Sequence, residues 1–349
     1  MRRDGMDGNA LAEMLRAFLP QLDTMDAGAK AKLEMLLIRR WSESVSRAGT
    51  SMLATFDAVS RGEEDTLWAV VATAGRQNRI AEVFRSRAAA LGGYTAVVAM
   101  PNTDPAQDSV AVVEFVREQG RRAGLCEVLP SGCITVGRNG EHLAPYGELS
   151  AAGVHLFTDD GNGVQDAMLM RRALEYAKPL GIVLAQHCEV SSLTKGAVMH
   201  EGSCCSRLGL PGWPALAEEL MLFRDIELVR LTGVPMHFLH LSTARSVQLV
   251  REAKAAGLPI TAEAAPHHFT LTDELLESYD ALYKVNPPLR TADDIAALKV
   301  GLADGTIDAI ATDHAPHPHE DKDCEWAAAA MGMLGLETAF AVAMATMVE

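Results

Sequence analysis

Seven short segments of this sequence gather the residue types that catalysis uses. They are Pro101-Asn102-Thr103, Asp159-Asp160-Gly161, His187-Cys188-Glu189, His240-Leu241-Ser242-Thr243, Pro266-His267-His268, the stretch from Lys284 through Asn286 to Arg290, and Asp313-His314-Ala315-Pro316-His317. Taken one at a time, each has an ordinary structural reading as a polar side chain satisfied by hydrogen bonds. Taken together, they offer carboxylate, imidazole and carboxamide in quantity. Imidazole nitrogen with carboxylate oxygen is a donor set suited to zinc. Water on such an ion ionises near neutral pH and can attack a carbonyl. A further carboxylate beside it can take the proton and return it to a leaving nitrogen. If Asp, His, His and Asp from successive segments converge on one pocket, metal-assisted hydrolysis of an amide is the expected chemistry.

Convergence requires elements that place these segments side by side. Nearly all of them follow an apolar run of strand type. Strands are expected over 67–72, 94–100, 154–158, 182–187, 235–241, 260–265 and 307–312, with an extended stretch at 126–136. Helices are expected over 77–91, 108–123, 164–177, 213–232, 244–256 and 292–303. Continuous apolar strands separated by helices predict a parallel sheet covered on both faces. About seven or eight such βα units favour an α/β fold of the closed (β/α)8 barrel type over an open sheet, and in that barrel the C-terminal strand ends carry the chemistry. Ahead of it, residues 9–60 show apolar residues at helical spacing. The expected organisation is a helical N-terminal extension over 1–62 and a barrel over 63–349.

Composition narrows the partners. The chain has 349 residues, 48% hydrophobic and 22% charged, which is globular usage. Lys and Arg number 31 against 46 Asp and Glu, a formal net charge of −15. That balance argues against a nucleic-acid or anionic-membrane partner. No apolar run is long enough for a bilayer span, and the start has no signal-peptide core. Six Cys without a C-x-x-C pair point to a reducing, cytoplasmic setting. All 11 His lie at or after His142.

The motifs, in order, resemble the dihydroorotase family of the amidohydrolase superfamily, in its longer bacterial-type branch. They are Ala-Met-Pro-Asn-Thr at 99–103, Thr-Asp-Asp-Gly at 158–161, His-Cys-Glu at 187–189, His-Leu-Ser-Thr at 240–243, Asn-Pro-Pro-Leu-Arg at 286–290, Ala-Thr-Asp-His-Ala-Pro-His at 311–317 and Met-Gly-Met-Leu-Gly-Leu-Glu-Thr at 331–338. The likeness runs from about residue 86 to 346. It implies that Asp160 is a carboxylate bridging two zinc ions, with His187 and His240 on the second zinc. Asp313 is implied to bind the first zinc and to act as general base, then acid. Asn102, Asn286 and His317 are implied to hold the substrate's carboxylate and ring, and the backbone at Met331 and Gly332 to contact that ring. The implied reaction is the reversible hydrolysis of (S)-dihydroorotate to N-carbamoyl-L-aspartate in pyrimidine biosynthesis.

The sequence departs from the family at its first strand, which ordinarily ends in His-x-His-x-Arg. The corresponding positions here are Trp68, Val70 and Ala72. The family's two Zn2+ per chain therefore become one at most. The family's final helix and small β-sandwich are also not evident. Two readings follow: a piece or misjoined reading of a dihydroorotase, or a non-catalytic relative that partners aspartate carbamoyltransferase. Both put the activity of this chain in question, and a homo-oligomer is an alternative assembly. Hydantoinase- and allantoinase-type enzymes are the nearest enzymatic rivals. They usually bridge their metals with a carboxylated Lys, so Asp160 favours dihydroorotase. His142, His155, His200 and His319 are expected to be surface or structural. His237, His267 and His268 lie near the pocket without an assigned role, and His314 is expected to orient Asp313. The Cys204-Cys205 pair is expected in a loop without thiol chemistry.

Overall fold

The computed structural model describes residues 71–72 and 87–347, the first two through their backbone. The expected helical segment 9–60, the boundary at 62–63, Trp68 and Val70, and the first part of the 77–91 helix lie outside the described residues. Among the described residues there are ten short strands: β1 (Val71–Ala72), β2 (Ala96–Ala99), β3 (Glu127–Pro130), β4 (Leu156–Thr158), β5 (Val183–Gln186), β6 (Met199–His200), β7 (Gly212–Trp213), β8 (Met236–Phe238), β9 (Ile260–Ala264) and β10 (Ala309–Ile310). Every pairing between them is parallel. One sheet runs β1-β2-β3 and a second β4-β5-β8-β9-β10. Gly132, just beyond β3, bridges to Phe157 of β4 in parallel and joins the two. Its amide donates to the Leu156 carbonyl at 2.9 Å, and the Thr158 amide returns to the Gly132 carbonyl at 2.8 Å.

Eight parallel strands thus follow one another in chain order, which is the strand order of a βα barrel. Among the described residues no pairing links β10 back to β1, so the barrel is not closed there. β6 and β7 form a separate two-stranded excursion between β5 and the helix Leu216–Thr232.

The long helices are α1 (Val110–Ala123), α2 (Ala167–Ala177), α3 (Leu216–Thr232), α4 (Ala244–Ala255), α5 (Ala292–Ala303) and α6 (Ala339–Met347). Their starts are written in the sequence. Asp166 caps α2 by accepting from the Leu169 amide, and Thr243 caps α4 by accepting from the Ser246 amide. Thr291 and Asp294 form a reciprocal capping box on α5. The main core lies between sheet and helices, with Phe157, Leu184, Met236 and Phe238 against Met170, Leu174, Met221, Ile226 and Val250. Five consecutive buried residues in β9 fit a strand covered on both faces. Ala343 of α6 packs with Phe269, Leu298 and Ile310, so the Met-rich C-terminal stretch is a packing helix. Cys204 and Cys205 sit buried in the short helix Ser203–Leu208 rather than in a loop. Among the described residues, no helix is long and apolar enough to cross a membrane.

Candidate metal centre

β4, β5 and β8 are neighbours, and the chain just beyond each tip supplies one donor. After β4, Asp159 is tied down by the Thr135 amide at 3.0 Å and by the Thr135 hydroxyl. Asp160 comes next. At the end of β5, Gln186 accepts from the Val164 amide at 3.1 Å and donates to Asp225 at 2.8 Å, which fixes the residue before His187. Beyond β8, His240 takes a left-handed backbone, φ 30°. Its amide donates to Glu263 of β9 at 3.3 Å, and the other Glu263 oxygen pairs with His237 at 3.0 Å. The Ser242 and Thr243 amides donate to buried Glu218. Such a backbone costs about 1–3 kcal/mol in a non-glycine residue and persists where surrounding bonds over-determine it. Asp313, beyond β10, is also left-handed, φ 44°.

The three side chains meet. His187 Nδ1 lies 3.1 Å from His240 Nε2 and 3.6 Å from Asp160 Oδ1, and His240 Nε2 lies 3.3 Å from the same oxygen. Donors held 2.0–2.1 Å from a tetrahedral cation stand about 3.3 Å apart. The trio therefore matches three corners of such a site, and all three residues are buried. Burial by itself raises the Asp160 carboxyl, but the hydrogen bonds from His187 and His240 dominate and hold it well below the usual carboxylate range. Burial lowers His187, yet its bonds to Asp160 and Glu189 push it up to about 10. His240 is raised too, its bond to Asp160 outweighing burial. Without a cation, protons hold this cluster together. A divalent ion would displace them, as ligand deprotonation on metal binding requires. The residues present fit a metal.

The other expected site residues fall around this trio. The Asn102 amide donates to Asp160 Oδ2 at a long 3.5 Å. Asn286 donates at 3.2 Å to Glu189, the same carboxylate oxygen that meets His187 Nε2 at 3.0 Å. The carbonyl oxygens of both Asn side chains are buried without a hydrogen-bond partner. Asp313 lies 3.9 Å from His267 Nε2, and its charge acts on His240. His317, Met331 and Gly332 form a neighbouring group. The His317 ring bonds the Met331 carbonyl at 2.9 Å, and the Gly332 amide donates to the Lys284 carbonyl at 2.9 Å. Residues 331–335 run beside 312–317, since His314 bridges to Met333 and its ring accepts the Gly335 amide at 3.1 Å. Sequence reasoning missed Glu189 and Glu263 as parts of the site, and gave His267, which it placed near the pocket, no role. Glu189 was findable, being two residues from His187 in extended chain and so on its face. His200 is structural as expected, accepting from buried Arg290 at 3.0 Å.

Comparison with known proteins gives the family. A family model described as dihydro-orotase-like matches residues 48–246, beginning ahead of the motifs. The dihydroorotase of Streptomyces coelicolor is 56% identical over 277 residues, covering 79% of this chain and 65% of that protein. The dihydroorotase of Leifsonia xyli is 54% identical over 266 residues, covering 76% of this chain and 61% of that one. The chain thus spans less than two thirds of the length of these relatives. Among solved structures, L-hydantoinase from Arthrobacter aurescens superposes with a TM-score of 0.62 at 23% identity, covering 74% of this chain and 59% of that one. Dihydroorotase from Saccharomyces cerevisiae gives 0.63 at 16% identity, covering 81% and 79%. These two likenesses show the fold alone. The match to more than half of its residues, with the relatives above half identity, places this chain in the dihydroorotase-like family.

Proposed function

We propose that this chain carries a zinc-dependent dihydroorotase site working on the (S)-dihydroorotate and N-carbamoyl-L-aspartate pair in the cytoplasm. The observation that carries the reading is the Asp160, His187 and His240 trio, at ligand spacing on three adjacent strand tips. These three residues hold the ion. When bound, zinc supplies Lewis-acid polarisation and a water of lowered pKa. Asp313 takes the proton of the attacking water and returns it to the ring nitrogen that leaves. Asn102 and Asn286 have buried carbonyl oxygens without a partner that can accept from the substrate, and His317 with the Met331–Gly332 backbone holds its ring and carboxylate. Asp313 as a ligand would belong to a first zinc whose other family ligands fall at Trp68 and Val70, so one ion per chain is the expected content. The same substitutions favour a second reading, a metal-holding but non-catalytic partner of aspartate carbamoyltransferase.

The test is zinc per chain after loading and dialysis, followed by turnover. One retained zinc, lost in Asp160→Ala and His187→Ala, is expected. Wild-type protein that keeps no zinc overturns the proposal. Retained zinc without dihydroorotate turnover selects the non-catalytic reading, and turnover of hydantoins alone rejects the substrate.

A further inference from the structure

Two lysines outside the metal trio spend all their protons on main chain. Lys284, which is buried, donates from Nζ to the carbonyls of Trp326 at 2.7 Å, Ala327 at 3.1 Å and Ala329 at 2.7 Å. Lys322 donates from Nζ to the carbonyls of Ala281 at 3.0 Å, Lys284 at 3.1 Å and Ala330 at 2.8 Å. An ammonium has three N–H donors, so each of the two is saturated. Withdrawing a charge from water is costly, and Lys284 is buried while Lys322 is half-buried. Lys322 is pushed down to about 8, chiefly by burial and then by the Lys284 charge. A merely convenient surface contact would not be built this way.

The carbonyls they collect belong to two segments. Residues 281–284 lead into Asn286, and residues 326–330 lead into Met331 and Gly332. A main-chain bond continues the seam, the Gly332 amide to the Lys284 carbonyl. The fit beyond it is tight. Gly332 has φ 152°, and a Cβ there would stand 2.6 Å from the Ala315 carbonyl oxygen and 2.8 Å from His317 Nε2. The 326–332 segment is therefore confined on one side by the two ammonium groups and on the other by the chain following Asp313.

We infer that Lys284 and Lys322 are positioning residues, a paired cationic clamp that sets the main chain of 326–332 against 281–286. The clamp fixes the spacing between Asn286 and the Met331–Gly332 backbone across which a cyclic ureide carboxylate is gripped. The inference rests on the substrate roles proposed for those residues. It concerns binding of the organic ligand and leaves the metal trio untouched.

The experiment compares wild type, Lys284→Met and Lys322→Met as full-length, zinc-loaded chains. Amide hydrogen exchange is followed in 326–332 and, as a control, in α5. Dihydroorotate affinity and zinc content are measured on the same samples. Exchange in 326–332 is expected to accelerate at least tenfold with α5 unchanged. The dihydroorotate Kd is expected to rise tenfold or more while zinc per chain stays at the wild-type level. A lysine with only a general structural role would lower zinc content and α5 protection along with affinity. Unchanged exchange in 326–332 overturns the clamp, and so does accelerated exchange with unchanged affinity. Lys322 is the less buried of the two, so Lys322→Met alone carries the test if Lys284→Met does not fold. Wild-type protein that retains zinc but binds no dihydroorotate overturns the substrate reading. The clamp then stands or falls on the exchange data alone.

Discussion

Glu189 carries a consequence for the metal that the ligands alone do not. Its carboxyl is held below the usual range, since the His187 hydrogen bond and charge outweigh burial. An ionised carboxylate can only accept, so His187 Nε2 must carry the proton at this 3.0 Å contact. Nδ1, directed at Asp160 and His240, is then the nitrogen whose proton a metal ion would displace to gain a ligand. Removing such an outer partner typically costs 10–100-fold in metal affinity. Glu189→Ala is therefore expected to weaken zinc binding by about 10–100-fold. Glu189→Gln, whose amide oxygen still accepts, should lose much less. Chelator competition measures both, and equal zinc affinity in Glu189→Ala and wild type would refute the role. At this scale the sequence was informative about identity and silent about partnership. Asp160, His187 and His240 could be named because their motifs resemble the dihydroorotase family's and their residue types bind cations. That Glu189 serves His187 while also holding Asn286, 97 residues away, depends on a fold-level contact that no local spacing encodes.

At the scale of elements, the strands from 94 to 312 and the helices after them lie where apolar periodicity places them, within a few residues. β8 and β10 end sooner than their apolar runs, ahead of the left-handed residues His240 and Asp313. The left-handed backbones of His240 and Asp313 were not legible: His and Asp tolerate that conformation better than most residues, but only the surrounding structure selects it. Nor was the junction of the two sheets, which depends on Gly132. A Cβ there would stand 2.8 Å from the Phe157 ring and 3.2 Å from Val154. Phe157 is fully buried and stacks at a tilt on Tyr146, with ring centroids 4.8 Å apart, so it has little room to retreat. Gly132→Ala is expected to destabilise the protein by about 1–3 kcal/mol, the usual cost of overpacking a core. Denaturant unfolding checks it. A midpoint equal to wild type would mean that β3 and β4 can separate without cost. The loss should shrink in Gly132→Ala/Phe157→Leu, where the smaller side chain leaves room.

The whole molecule buries several imidazoles away from the metal trio, and one of them makes acid stability predictable. His200 is pushed down to about 4, by burial first and then by the charge of Arg290, with Asp294 opposing weakly. The geometry gives the reason. Arg290 is fully buried and donates to Ser242, to the Trp213 carbonyl and to His200 Nδ1, each at 3.0 Å. His200 can accept that bond only while Nδ1 is unprotonated. Protonation would set a second cation against the guanidinium in a dry site, at the point where β6 and β7 meet the chain leading to α5. Unfolded, the same imidazole has its ordinary value near 6.5. Between about pH 6.5 and 4, then, the unfolded state binds more protons than the folded one, and stability rises with pH across that window. His268 is depressed in the same direction, mainly by burial, and adds to the slope. The stabilisation is complete above pH 6.5 and is lost as pH falls toward 4. His200→Asn places a carboxamide oxygen where Nδ1 accepts, so it can keep the Arg290 bond without titrating. Its melting temperature is expected to match wild type within a few degrees at pH 7.5 and to fall less steeply from pH 6.5 to 4. Thermal melts of the zinc-free proteins across that range read the difference directly. Parallel curves for the two proteins would show that the Arg290 contact does not set the acid limit of this fold, and would shift the weight to His268.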